Sequence, residues 1–318
     1  MGPMTLITVH ILDVGQGSCA VILAGDRVSV IDGGTTRAAR ERTDPVAWLR
    51  GRGITAIHDL ILTHLHRDHA QGLLALAREF PVGRAFLPYP RLTPPRRPAR
   101  AYGEVDADVD SPAGQYQLIT EYRDLLSLLE EAGTPVSGLG FSAEDNPVLW
   151  GEGAAVLERV YPLPGDRPVT PALVDALPLA QSEERILSVL DELSETTNAE
   201  SAVFILRLPG EPAVVFAGDH SGPGSAWERI GARTDLAGAI WVLPHHGRPD
   251  GPPPAFYRAR SPRALIASLA ASRAAECGSY WEDLAEDTGC EVMTTAQPRP
   301  RVAWRGGGLE VRVDAATG

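Results

Sequence analysis

The sequence contains no lysine: all 29 of its basic residues are arginine. Schiff-base chemistry, a phosphate-gripping P-loop lysine and a serine–lysine nucleophile are therefore excluded. Cysteine is nearly as scarce, with Cys19, Cys277 and Cys290 far apart and no CxxC pair. Three separated thiols cannot build a disulfide framework, so a reducing compartment, the cytoplasm, is expected. No apolar run reaches the roughly 18–20 residues that span a bilayer. Residues 1–8 lack the basic and apolar regions of a secretory leader. Positive charge is outweighed: 29 basic against 41 acidic residues leave a net charge of −12. A surface of that sign disfavours broad, unspecific adhesion to polyanions and leaves room for a local basic groove.

What is present is a globular composition, 44% hydrophobic and 22% charged over 318 residues, enough for a sizeable core. Strand-like runs are Leu6–Val14, Ala20–Leu23, Val28–Ile31, Asp59–Leu62, Val156–Leu163, Ala202–Leu208, Ala213–Ala217, Ile240–Leu243, Ala264–Ala267, Glu291–Thr294, Val302–Trp304 and Leu309–Val313. Helical patterns cover Pro45–Gly51, Leu73–Phe80, Gln117–Ala132 and Glu183–Leu193. Two stretches interrupt them. Residues 88–115 carry six prolines, with Arg91, Arg96, Arg97 and Arg100 in the first half and four acidic residues in the second. This reads as a solvated surface loop or as a lid over a cleft. Residues 164–180 read as a second Pro-rich connection. Strands and helices interleave throughout without a short repeat. One α/β domain spanning 1–318 is expected, two β-rich halves with helices outside and these two loop insertions.

Eight histidines are present, and six of them fall in three short stretches, each just past a predicted strand. The first is Thr63-His64-Leu65-His66-Arg67-Asp68-His69. Imidazole and carboxylate are the usual ligands of zinc, manganese and iron. His64 and His66, two residues apart on an extended turn, can chelate one ion. Asp68 and His69, where the chain bends into a helix, face a second ion close by. The second stretch is Gly218-Asp219-His220, where a strand-end carboxylate can bridge two cations. The third is His245-His246: one of the pair closes the coordination of the Asp68/His69 ion, and the other donates a proton or shapes the pocket. His10 and His58 stand apart and read as core-flanking or surface residues.

His64-Leu65-His66-Arg67-Asp68-His69 resembles the HxHxDH signature of the metallo-β-lactamase-fold hydrolases. The resemblance implies a four-layer αββα sandwich with a binuclear metal site between two sheets. Leu12-Asp13-Val14-Gly15-Gln16-Gly17, Ile31-Asp32-Gly33-Gly34, Ala217-Gly218-Asp219 and Pro244-His245-His246-Gly247 resemble, in order, motifs of the metallo-hydrolase domain of ComEC-type competence (DNA-uptake) proteins. Their membrane channel has no counterpart in this sequence, so a role in DNA uptake is not implied. Many members of the superfamily carry a further histidine between the first cluster and the bridging aspartate. This chain has none between His69 and His220. Its Thr197-Asn198-Ala199-Glu200-Ser201 is similar to the Asn/Ser-rich segment of the ComEC-type domains. The His64/His66 ion is therefore left with Asn198 or Ser201 as a weak fourth ligand, or with an open position. Two divalent ions, zinc or manganese, are the implied cofactors.

Two neighbouring cations lower the pKa of a shared water and give hydroxide at neutral pH. Asp68 would orient that hydroxide. The non-ligating member of His245 and His246, or His220, would protonate the leaving group. Asp13 and Asp32 would tie the surrounding loops together behind the ligands. The expected activity is a phosphodiesterase, foremost a nuclease, with Arg67, Arg248 and the 91–100 arginines contacting phosphates. The alternative is a hydrolase of small carbonyl substrates, a lactone, thioester or β-lactam. A non-catalytic metal module is disfavoured by so complete a ligand set. A trypsin-like protease cutting the Arg91–Arg100 run would be expected to switch on a latent enzyme if that run covers the cleft.

Overall fold

Strands buried on both faces read as continuous apolar runs, and strands with one wet face alternate. Both kinds occur in the computed structural model, which describes residues 6–35, 42–91, 112–139, 147–166, 168–180, 182–221 and 225–314. Ile7–Leu12 (β1), Ala20–Ala24 (β2), Arg27–Ile31 (β3), Ile57–Ile61 (β4), Val82–Leu87 (β5) and Val136–Gly138 (β6) belong to a first sheet. Val148–Glu152 (β7), Ala155–Tyr161 (β8), Val203–Arg207 (β9), Val214–Phe216 (β10), Ile240–Val242 (β11), Ala264–Ala267 (β12) and Val292–Thr294 (β13) form a second. Arg301–Arg305 (β14) and Leu309–Asp314 (β15) return to the first, whose order is β14-β15-β1-β2-β3-β4-β5-β6. The second runs β13-β12-β11-β10-β9-β8-β7.

The helices are Pro45–Gly51 (α1), Arg67–Glu79 (α2), Pro112–Glu131 (α3), Thr170–Ala176 (α4), Glu183–Ala199 (α5), Ser225–Arg233 (α6), Pro254–Arg258 (α7), Ala271–Ala274 (α8) and Gly278–Thr288 (α9). Three apolar layers bind the elements into the expected αββα sandwich. Val9, Ile11, Phe204, Phe216, Ile266 and Val311 fill the space between the sheets. Leu49, Leu73, Leu125 and Leu190 of α1, α2, α3 and α5 cover the first sheet. Trp227, Tyr257 and Leu284 of α6, α7 and α9 cover the second, against Trp241.

The structure corrects four expectations. Helix α2 begins at Arg67, not Leu73. Its first turn is polar, so the apolar spacing that marks a helix starts only a turn and a half later. Helix α5 runs to Ala199, which puts Asn198 in its last turn. The 164–180 stretch contains α4, because Pro171 stands in the first turn, where its missing N–H costs nothing. The two β-rich halves do not follow the chain, since β14 and β15 add to the first sheet. Residues 92–111, with Arg96, Arg97 and Arg100, lie outside the described residues, while Arg91 is exposed. Among the described residues, no helix is long and apolar enough to cross a membrane.

Strands β3, β4 and β5 pair in parallel, as do β10, β11, β12 and β13. Their carboxyl ends thus point to one edge of the sandwich, the place where open α/β sheets collect ligand-binding loops. The segments 13–18, 32–34, 62–69, 217–220 and 243–247 all emerge there.

Candidate metal centre

The chain leaves β4 through Thr63 to His66 and enters α2, so His64 and His66 precede the helix while Asp68 and His69 stand in its first turn. Asp219 follows β10 across Gly218, whose φ is +52°. A Cβ on Gly218 would lie 2.3 Å from the Ser201 hydroxyl, so only glycine lets the backbone approach this closely. After β11, His245 and His246 take φ values of 46° and 60° in succession. That strained pair persists because neighbours fix it. The His245 N–H donates to the Gly218 carbonyl at 3.0 Å, and the Trp281 indole donates to the Gly247 carbonyl at 2.8 Å.

Two triads of ligand atoms result. His64, His66 and Asp219 form one; Asp68, His69 and His246 form the other, and within each the ligand atoms lie within 4.8 Å of one another. Asp219 also serves the second: its Oδ1 is 3.0 Å from His69 Nε2 and its Oδ2 3.3 Å from His246 Nε2. His246 Nε2 lies 3.0 Å from Asp68 Oδ2, and His64 Nε2 lies 3.9 Å from Asp219 Oδ2.

Three imidazoles are anchored through Nδ1. His69 Nδ1 donates to Asp32 Oδ2 at 2.8 Å, and His246 Nδ1 to the Ser268 carbonyl at 2.8 Å. His64 Nδ1 lies 3.0 Å from the Thr63 hydroxyl and 3.1 Å from that of Ser201. With the ring proton held at Nδ1, each Nε2 presents its lone pair to the cluster. The Nε2 atoms of His64, His69 and His246 are buried and have no partner in hydrogen-bonding geometry, and neither has Asp219 Oδ1. Buried polar atoms left this way call for a group that takes lone pairs, and imidazole with carboxylate is a donor set for divalent metals. The residues present therefore fit two such ions.

The electrostatics agree. Burial and the nearby His69 push His64 well below the usual imidazole range, which leaves it neutral. Burial opposes charge on His69 too, but Asp219, Asp32 and Asp68 override it and raise its pKa well above 6.5. His246 rises to about 9 against its own burial, drawn up chiefly by Asp219. Asp219 in turn is held well below the carboxylate range by His246 and His69 despite burial. Without metal, protons thus take the place of the cations that this carboxylate-rich pocket demands.

Asp32 holds the loops as well as His69. It accepts from the Thr63 N–H at 2.8 Å and the Thr63 hydroxyl at 3.0 Å, and sits at φ 61°. Asp32→Asn keeps a residue that tolerates this left-handed backbone but removes the charge behind His69. Metal affinity, measured by competition with a chelating dye, is expected to fall about 10–100-fold. Wild-type affinity in that variant would refute the role given to Asp32.

Other sequence candidates fall around the triads. Asp13 accepts from the Gly15 N–H at 3.0 Å and shapes its own loop. Ser201 stands behind His64 and accepts the Asp219 N–H at 3.1 Å. Asn198 Nδ2 is 3.5 Å from His245 Nε2. His245 is outside both triads, with Nε2 3.9 Å from Asp219 Oδ2. His220 is packed against Tyr161 and Trp227, at ring separations of 4.0 and 5.1 Å, and belongs to neither triad. Arg67 and Arg248 are half-buried beside the cluster's loops. His10 bonds Asp314 at 2.9 Å, and His58 Nδ1 accepts from the Val28 N–H, both away from the triads. Asp250, which no sequence pattern singles out, meets His245 Nδ1 at 2.5 Å.

Comparison with known proteins bears on this geometry. No curated protein matches the chain. Among solved structures, a metal-dependent hydrolase of the beta-lactamase superfamily is 15% identical, with 98% of this chain and 99% of that one covered and a TM-score of 0.49. Igni18, a metallo hydrolase from Ignicoccus hospitalis, is 11% identical over 90% of this chain and 94% of its own, with a TM-score of 0.45. A Cronobacter sakazakii metallo-beta-lactamase with a HARLDQ motif is 14% identical over 67% of this chain, with a TM-score of 0.32, and only 55% of its own length is spanned. Residues 12–256 match the family described as the Metallo-beta-lactamase superfamily, a stretch that holds every member of both triads. The chain belongs to the metallo-β-lactamase superfamily.

Proposed function

We propose that the protein is a phosphodiesterase acting on nucleic acid, a nuclease that works with two zinc or manganese ions. The observation that carries this reading is the sharing of Asp219 between two adjacent triads. Two divalent ions held by these triads, with Asp219 common to both, would supply the positive charge that stabilises a phosphodiester's transition state. The order of the motifs, similar to that of ComEC-type hydrolase domains, supports it further.

Bound there, the two ions would supply Lewis acidity and lower the pKa of a shared water. The chain's own residues do the rest. Asp219 spans both triads and fixes their separation. Asp68 is the most open of the carboxylates facing the pair, its side chain 22% exposed against 3% for Asp219. Its Oδ1, 4.0 Å from His69 Nε2, can accept a hydrogen bond from the attacking water and orient it. Arg67 and Arg248 offer guanidinium forks to flanking phosphates, a bidentate match that an ammonium group would not give. His246 is no proton donor in this scheme, because its Nδ1 is committed to Ser268 and its Nε2 to the cluster. His220 has no route to the substrate through its aromatic packing.

The test is a substrate panel on metal-loaded protein: plasmid, RNA, bis-p-nitrophenyl phosphate, and a set of lactones, thioesters and β-lactams. Phosphodiester cleavage that EDTA abolishes is expected. Turnover of a lactone, thioester or β-lactam with every phosphodiester intact would overturn the proposal.

A further inference from the structure

The first sheet ends at β6 and the second at β7, and a cavity of about 270 Å³ lies between these two margins. Its wall includes Arg84 and Phe86 of β5, Ser137 of β6, Leu139 just beyond it, Leu149 of β7 and Arg159 of β8. None of these belongs to a metal triad or to the loops that carry one.

The two arginines stand where a sandwich normally places apolar side chains. On β8, Ala155, Leu157 and Arg159 share a face, and the first two are packed in the apolar layer between the sheets. On β5, Arg84 shares a face with Phe86, which packs against that same layer. A guanidinium so placed must find acceptors. They are few among the described residues. Arg84 gives Nε and Nη2 to Asp59 Oδ1, at 3.2 and 2.7 Å, which leaves Nη1 uncommitted. The same buried carboxylate also serves Arg27 at 2.7 Å and the Ser29 hydroxyl at 2.8 Å. One negative charge thus answers two guanidiniums. Glu152 adds little, reaching Arg27 only at 3.7 Å from a side chain half open to water. Arg27 Nε and the Trp150 indole N–H over which this guanidinium lies are buried donors without a hydrogen-bond partner. Arg159 is buried and keeps an interaction of its own within the chain, but a guanidinium has more N–H donors than one acceptor takes. Donors therefore outnumber acceptors at this margin.

We propose that the cavity binds a small organic anion: a carboxylate carried on an aromatic or branched apolar body. A carboxylate only accepts, so it supplies what the wall lacks. Arg84 and Arg159 hold its oxygens, and Phe86, Leu139 and Leu149 cover its body. The volume is just under the roughly 300–1,000 Å³ of pockets for drug-sized ligands, which keeps the occupant small. This site is separate from the metal centre and does not rest on the nuclease reading.

The experiment is calorimetric titration of full-length protein with phenylacetate and 2-naphthoate. Phenylacetamide serves as the uncharged counterpart and inorganic phosphate as an anion without an apolar body. Both carboxylates are expected to bind with one-to-one stoichiometry, and at least tenfold more tightly than the amide or phosphate. Metal-loaded and chelator-stripped protein should agree within about twofold, because the two sites share no residue. Arg84→Gln and Arg159→Gln should each weaken binding by about tenfold or more. Ser137 is exposed at the cavity's rim, so Ser137→Trp should block entry while both guanidiniums stay in place. Its thermal unfolding should match that of wild type, which separates loss of the site from loss of the fold. No uptake of either carboxylate at millimolar concentration would overturn the proposal. So would amide binding equal to that of the acid, or wild-type constants in all three variants. Binding that vanishes once the metal is stripped would place the carboxylate on the ions and overturn it as well.

Discussion

Replacing Asp219 by alanine is expected to remove both metal ions and, with them, hydrolysis. Its two oxygens approach His69 and His246 at 3.0 and 3.3 Å, and one of them faces His64. No other carboxylate is shared in this way among the described residues. Without it, His64 and His66 retain no carboxylate ligand, and the second triad loses the charge that chiefly balances His246. Turnover of the best substrate in the panel should drop by about a thousandfold or more, and elemental analysis should find neither ion at stoichiometric level. The change in fold should be small by comparison. In metal-free protein the lost carboxylate leaves His69 still paired with Asp32. A variant that keeps two ions, or a tenth of the wild-type rate, would refute the bridging role.

The second large effect is expected from Gly72→Ala, far from any ligand in chemistry but not in space. Gly72 lies on the second turn of α2, and a Cβ there would stand 2.0 Å from the Gly33 carbonyl oxygen. Two backbone bonds clamp the same contact: the Gly33 N–H donates to the His69 carbonyl at 2.7 Å, and the Gly72 N–H to the Gly34 carbonyl at 2.9 Å. Backbone cannot move aside as a flexible side chain can, so α2 must be pushed off the β3 loop. A loss of about 3 kcal/mol is expected from overpacking and strained bonds. The displacement also parts His69 from Asp32, so metal affinity should fall together with stability. Denaturant unfolding of the metal-free protein and dye competition check the two halves. Unchanged values for both would show that the helix start and the β3 loop are not coupled.

How much of this can be read in the sequence depends on where the information lies. The 64–69 cluster is legible because all its donors sit within six positions and their spacing alone suggests chelation. The strands buried on both faces are legible because a short apolar run bounded by turn residues must bury both of its sides. Strand β7 is not: Gly151 and Glu152 dilute its alternation, and it gains its place by pairing with β8. Helix α4 is hidden by prolines that a first turn tolerates. The choice between His245 and His246 is beyond pattern reading, since two adjacent histidines look alike. Two left-handed residues in succession aim them apart, and that conformation is held by Gly218 and Trp281, distant in sequence. Asp250 is silent for the same reason. An exposed aspartate in a Pro-rich turn carries no signal until the turn brings it to His245.

Strand β1 lies between β2, its neighbour in sequence, and β15, about three hundred residues later, in parallel register from Ile7 beside Leu309 to Leu12 beside Asp314. During synthesis the first sheet is therefore left with a bare margin until residues 309–314 have been translated. A ribosome-bound intermediate presents Ile7, Val9 and Ile11 along that margin, ready to pair with any passing strand. A chain cut back to residue 300 would keep every metal ligand, yet it would carry this sticky rim permanently, and its fate should be aggregation before it is inactivity.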